Sequence, residues 1–185
     1  MDLGMNDKQL RVLASAGLAV GGVLGMAGTF APSAALRGLC WGIDGVALVM
    51  ASALLTIHYF RLGQDFVSAG FLVFAIGEGI ILSGAAMDLA ASVPSFGAGS
   101  SLWAVALVLI SGPRVFPSVV RVLGLIASAM FATTAVQIYV GVALLPITAP
   151  LPFYAYPVFV ATLFGWIWTL LKTSALLGPG AKVVS

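Results

Sequence analysis

Charge is scarce in this sequence: only 8% of its 185 residues are Asp, Glu, Lys or Arg, against about 25% in an ordinary soluble chain. Cysteine and histidine are scarcer still. The single cysteine, Cys40, excludes an internal disulfide, and the single histidine, His58, excludes a bis-histidine haem and a His/Cys zinc cluster. No Ser/His/Asp set, no paired acidic motif with nearby histidines and no Walker sequence occurs. A retinal-type Schiff base needs a buried lysine, whereas Lys172 ends the last apolar run. These absences argue against an enzyme, and neither a cofactor nor a metal is expected.

What remains is apolar. Hydrophobic residues make up 61% of the chain and the mean hydropathy is +1.14. Runs near 20 residues, the length that crosses roughly 30 Å of hydrocarbon as helix, recur along almost the whole sequence. The expected fold is an all-α integral membrane protein, a bundle of six transmembrane helices forming one polytopic domain over residues 1–185. Cutting at charged, Pro and Gly clusters places the spans at about 12–31, 38–60, 66–87, 98–112, 119–141 and 153–171. The fourth is the weakest, since Gly99 to Pro113 offers barely enough apolar length. The first reads as a retained span, because its apolar stretch is longer than that of a secretory signal, and no lipidation box is present. The ends, 1–10 and 173–185, are expected to be loose.

The net charge of +2 and pI of about 8.9 are accounted for by topology, and no nucleic-acid patch is read here. With the N-terminus inside, Lys8, Arg11, Arg61, Arg114, Arg121, Lys172 and Lys182 share one side and only Arg37 falls on the other. That partition requires an even number of spans and puts both termini in the cytoplasm of a bacterial inner membrane. Aromatic residues are expected at headgroup level, with Tyr59, Trp166 and Trp168 marking the inner surface and Trp41, Trp103, Tyr154 and Tyr156 the outer one. "RVLASAGLA" at 11–19 resembles "RVLGLIASAM" at 121–130, but apolar alphabets make such matches cheap, and a true duplication is the less favoured reading.

Two glycine ladders stand out. Gly17, Gly21, Gly25 and Gly28 line one face of the first span, and Gly70, Gly77 and Gly84 one face of the third, the small-residue spacing that lets helix backbones approach in lipid. Packing within the chain is the plainer reading, and a homo-oligomer contact is the sharper one.

Asp44 and Glu78 are the only acids deep within spans, where a charge costs about 2.5–3.5 kcal/mol or more. Helical rise puts Asp44 roughly 9 Å and Glu78 roughly 13 Å below the outer ends of neighbouring antiparallel spans. They are therefore expected to meet, share a proton and titrate as a unit. The glycines on both sides of Glu78 suggest a close neighbour. Gln137 and Tyr139 lie toward the same outer half and complete a set of proton-coupling or ligand-binding candidates. A quiet structural hydrogen bond is the competing reading for both acids. His58, roughly 21 Å from Asp44 along the helix, is grouped with Arg61 and Asp65 in an interfacial cluster. Arg114 and Arg121, around two prolines, are placed against lipid headgroups.

The first functional expectation is thus a small non-enzymatic inner-membrane protein, an accessory, assembly or lipid-facing component. Its partners are membrane lipids and either further copies of the chain or a larger membrane complex. The rival is a proton-linked transporter or channel for a small solute, using the Asp/Glu pair. Its weakness is that Pro falls at span ends and not within them.

Overall fold

A computed structural model describes residues 6–84, 88–142, 144, 145 and 147–176. The expected end of the third span at 85–87, and Lys182, lie outside the described residues. Six helices follow one another: α1 (Asp7–Thr29), α2 (Ala34–Arg61), α3 (Asp65–Gly84), α4 (Val93–Ser111), α5 (Ser118–Tyr139) and α6 (Pro150–Leu176). All six are long and apolar enough to cross a membrane.

Local chemistry sets several of the ends. Asn6 and Gln9 form a reciprocal capping box, at 2.9 and 3.0 Å, that starts α1 five residues before the apolar run does. Ser33 caps α2 by accepting from the Leu36 amide. At the turn into α3, Gly63 adopts φ +67°, a conformation that glycine reaches without steric cost. The largest departure is α4, a full 19-residue helix reaching back to Val93, although "VPSFGAGSS" has a loop's composition. Pro94 sits in the first turn, where its missing N–H costs nothing. The small residues after it are tolerated because they lie against neighbouring helices: Gly97 faces Ile138, and Gly99 faces Gly77 and Ile81.

Each helix packs on its sequence neighbours, and α6 closes on α1, so the six form an antiparallel ring. The α1/α2 seam is built on the first glycine ladder. A Cβ at Gly17 would lie 2.9 Å from the Ala47 carbonyl oxygen, one at Gly21 would strike Leu48, and one at Gly28 would strike Trp41. The second ladder faces α4 in the same way, Gly70 against Ile110, Gly77 against Leu102 and Gly99, and Gly84 against Ser95. Both ladders are therefore filled from within the chain. Interhelical hydrogen bonds add direction: Ser68 Oγ donates to the Thr56 carbonyl at 2.9 Å between α3 and α2, and Ser128 Oγ to the Ala104 carbonyl at 2.7 Å between α5 and α4.

One end of the ring, the basic end, carries Lys8, Arg11, Arg61, Arg114, Arg121 and Lys172; among the described residues only Arg37 lies at the other, the cavity end. The aromatic residues depart from their expected positions. Trp168 and Tyr154 do face outward, at 68% and 63% exposure, but Tyr59, Trp103 and Trp166 are buried. They stack with phenylalanines in the middle of the ring. Trp103 lies on Phe74 and Phe159, at centroid distances of 5.6 and 5.1 Å, with Phe131 edge-on at 5.0 Å. Toward the basic end Phe71 is edge-on to Trp166 at 5.1 Å and stacked on Tyr59 at 5.5 Å, with Phe116 against both. Six helices in a ring leave a central space that aliphatic side chains fill poorly, and flat rings in stacked and edge-on pairs fill it well.

Candidate functional site

The aromatic column stops short of the cavity end, and there a cavity opens. It offers about 100 Å³, room for about three waters at the liquid's share of volume. Thr29, Gly84, Leu89, Ser92 and Pro152 form its rim at the helix ends, while Asp44, Glu78, Trp103, Phe131 and Tyr156 lie deeper. Trp41, Phe96 and Phe153 contribute further aromatic wall.

The two acids do meet. With α2 starting at Ala34, Asp44 lies roughly 15 Å from the cavity-end start of its helix, and Glu78 lies roughly 9 Å from Gly84, the last described residue of α3. Glu78 Oε1 presses on the α2 backbone at Gly45, where an added Cβ would stand 3.3 Å away, one residue from Asp44. Asp44 is held from the other side: Tyr156 Oη on α6 donates to its Oδ2 at 3.2 Å, and Gly21 and Gly25 of α1 leave space for the carboxyl. A Cβ at Gly25 would strike both the Tyr156 hydroxyl and Asp44 Oδ2. The glycine ladder therefore does two things, closing the α1/α2 seam and seating an acid.

Asp44 and Glu78 are 6% and 3% exposed, and each keeps one buried oxygen, Oδ1 and Oε2, with no hydrogen-bond partner in the protein. The Trp103 indole N–H stands beside Glu78 without completing a hydrogen bond to it. Among the described residues, no lysine, arginine or histidine lines the cavity. Two carboxyls facing one largely apolar space are costly to charge together, so the site is chemically suited to hold a proton, or a ligand that donates hydrogen bonds.

Glu78's two glycines differ. Gly77 is pressed against α4, whereas a Cβ at Gly79 would have nothing within 4 Å, because the helix turns that position to the outside. Gln137 and Tyr139 do not line the cavity. The Tyr139 hydroxyl turns to α4, 3.1 Å from Ser101 Oγ and 3.4 Å from the Gly97 carbonyl. Tyr156, Trp103 and Trp41 are the site residues that sequence reasoning assigned to the surface. The signal for Tyr156 was present: with Ala155, Phe159, Leu163, Trp166 and Leu170 it continues an interior stripe at helical spacing.

At the basic end His58 is buried, and its Nδ1 lies 2.5 Å from Asp7 Oδ1 of α1. Arg11, also buried, pairs with the same carboxylate. The capping box brings Asp7 into the first turn of α1, so His58 is tied to α1 and not placed by Arg61 and Asp65 alone. Arg61 and Arg114 lie exposed at the helix ends. Arg121 is engaged by the protein, donating from Nε to the Ser111 carbonyl at 2.8 Å and from Nη2 to the Gly112 carbonyl at 2.7 Å. It thereby satisfies carbonyls that the end of α4 leaves open. Comparison with known protein families, curated proteins and solved structures finds no match for this chain.

Proposed function

We propose that this chain is a non-enzymatic, multi-pass protein of a bacterial inner membrane that takes a small solute into the cavity from the outer side, with Asp44 and Glu78 as its proton-linked acceptor. The observation that carries the reading is the pair of buried carboxyl oxygens, one from each acid, left without a partner beside one cavity. Burying such groups costs free energy unless something hydrogen-bonds to them, and that something is supplied by solute, water or proton.

Two features of the fold favour transport over a passive structural role. The aromatic column seals the ring beneath the cavity, as a one-sided binding state demands. Pro157 lies inside α6, one residue from Tyr156 and two turns in, because that helix begins at Pro150, three residues before the expected start at 153. A proline in a helix interior removes the hydrogen bond to the carbonyl four residues back, here Phe153 of the cavity wall, and makes a natural bending point. The accessory or assembly reading drew on the glycine faces, and these are occupied within the chain. Lipid remains the partner that the exposed apolar faces of the helices call for.

The test is proton flux into proteoliposomes carrying an internal pH dye. Glu78→Gln is expected to lower the flux by more than about tenfold. Equal flux in parent and variant across several pH values would remove Glu78 from the role. Orientation has its own check in Cys40, half-buried near the start of α2 at the cavity end. An impermeant maleimide applied to spheroplasts should label it, and labelling only after the cytoplasmic face is opened would invert the topology.

A further inference from the structure

Resting on that reading of the cavity, we infer that its ligand is a small organic cation, a protonated amine carried on a compact apolar or aromatic body. The polar groups decide the sign of the charge. Asp44 Oδ1 and Glu78 Oε2 are unpartnered acceptors, both acids are more than nine-tenths buried, and the Trp103 N–H of the cavity wall is an unsatisfied donor. An ammonium group supplies up to three donors and accepts nothing, so it matches two open acceptors. A carboxylate or phosphate brings only acceptors and would face acids with, among the described residues, no lining cation to offset them. A neutral alcohol satisfies one oxygen and leaves the other.

The walls point the same way. Trp41, Trp103 and Tyr156 line the cavity with π surface, which attracts cations through the ring quadrupole, most strongly where water is excluded. One wall already engages a cation on the protein's own account: the Arg37 guanidinium carbon lies 5.9 Å from the centroid of the Trp41 ring. Charge balance is equally direct. An acid pair holding one proton carries a single negative charge, which a monocation neutralises. An interior of about 100 Å³ admits the ammonium group and a few carbons, so a ring carried on it reaches back to the aromatic wall of Trp41 at the open end.

The experiment uses the full chain in mild detergent and three probes of one shape: benzylamine, protonated at neutral pH, benzyl alcohol and benzoate. Binding is followed by tryptophan fluorescence, since Trp41 and Trp103 line the cavity. Benzylammonium is expected to bind saturably, more than about tenfold tighter than the alcohol or benzoate, and to lose about tenfold or more in Glu78→Gln and in Asp44→Asn. Alcohol or benzoate binding as tightly as the amine, no saturable amine signal, or unchanged amine affinity in the double variant each overturns the inference. The probe series on the parent protein needs no variant, so it stays decisive if Asp44→Asn fails to fold. Glu78-dependent proton flux without amine selectivity would reject the cation and leave the transport reading standing. Amine binding without Glu78-dependent flux would do the reverse.

Discussion

Gly99→Val is expected to abolish the folded ring, while Gly79→Ala, two residues from the partner glycine of Gly99, leaves it intact. The contrast rests on what stands opposite each position. A Cβ on Gly99 would lie 2.8 Å from the Gly77 carbonyl oxygen, and one on Gly77 would lie 3.1 Å from the Gly99 carbonyl oxygen. Backbone cannot rotate out of the way as a leucine tip can, so α3 and α4 must separate, and the packing along Gly70 and Gly84 goes with them. Overpacking by one carbon costs about 1–3 kcal/mol, and valine adds two more carbons at the same point. In lipid, where helix association depends on close packing more than on apolar transfer, that separation has no compensating gain. At Gly79 nothing lies within 4 Å, and alanine there is expected to be neutral or to stabilise by about 0.5–1 kcal/mol through helix propensity. The temperature at which the monodisperse size-exclusion peak is lost in mild detergent reports both effects. A Gly99→Val protein with the parent midpoint would show that the α3/α4 crossing is not the tight seam described above.

The second large effect is expected at Trp103. Its ring stacks on Phe74 and Phe159 and takes Phe131 edge-on, so it is both the deepest aromatic wall of the cavity and the top of the central column. Truncation to alanine removes these ring contacts together, at a cost of about 3–5 kcal/mol for a buried aromatic. It also extends the cavity toward the basic end, past the level of Asp44 and Glu78. Trp103→Ala is therefore expected to lower the unfolding midpoint and to raise passive proton permeability of proteoliposomes, whereas Trp103→Phe restores most of the seal. If the alanine variant does not fold, Trp103→Leu, which keeps bulk but not the stack, provides the same comparison. Unaltered proton permeability in a folded Trp103→Ala protein would mean that the barrier lies elsewhere, with Phe71, Tyr59 and Trp166 the next tier to examine.

These two positions mark where sequence reading succeeds and where it stops. The α3 glycine ladder is legible at its spacing of seven, and its neighbour proved to be α4 of the same chain. The difference between Gly77 and Gly79 is not legible, since both flank the same acid and only the helical turn decides which meets another backbone. The aromatic column is legible only in part. A tryptophan near a span end fits a headgroup position as well as an interior one, and Trp103 and Trp166 turned inward because ring closure leaves a space that they fill. The start of α4 was misread because Ser, Gly and Pro were weighed by local propensity, whereas in a crowded bundle small residues are what let helices touch. The link from His58 to Asp7 was missed for a similar reason: the capping box carries α1 beyond its apolar run, into reach of the end of α2.

Hydropathy and charge, read along the chain, determined that there are six apolar helices, that the cations gather at one end, and that two acids lie within the spans on adjacent helices. Those are properties of single segments and their nearest neighbours. Tertiary structure decided that α6 closes on α1, bringing Tyr156 to Asp44 across 112 positions of sequence. It also decided that the acids face a cavity walled by aromatic rings and not a helix seam, and that Gln137 and Tyr139 stand outside it. The physical reason is that apolar residues look alike to a one-dimensional pattern. Which of them faces lipid, a neighbour or the lumen is settled only when all six helices pack at once.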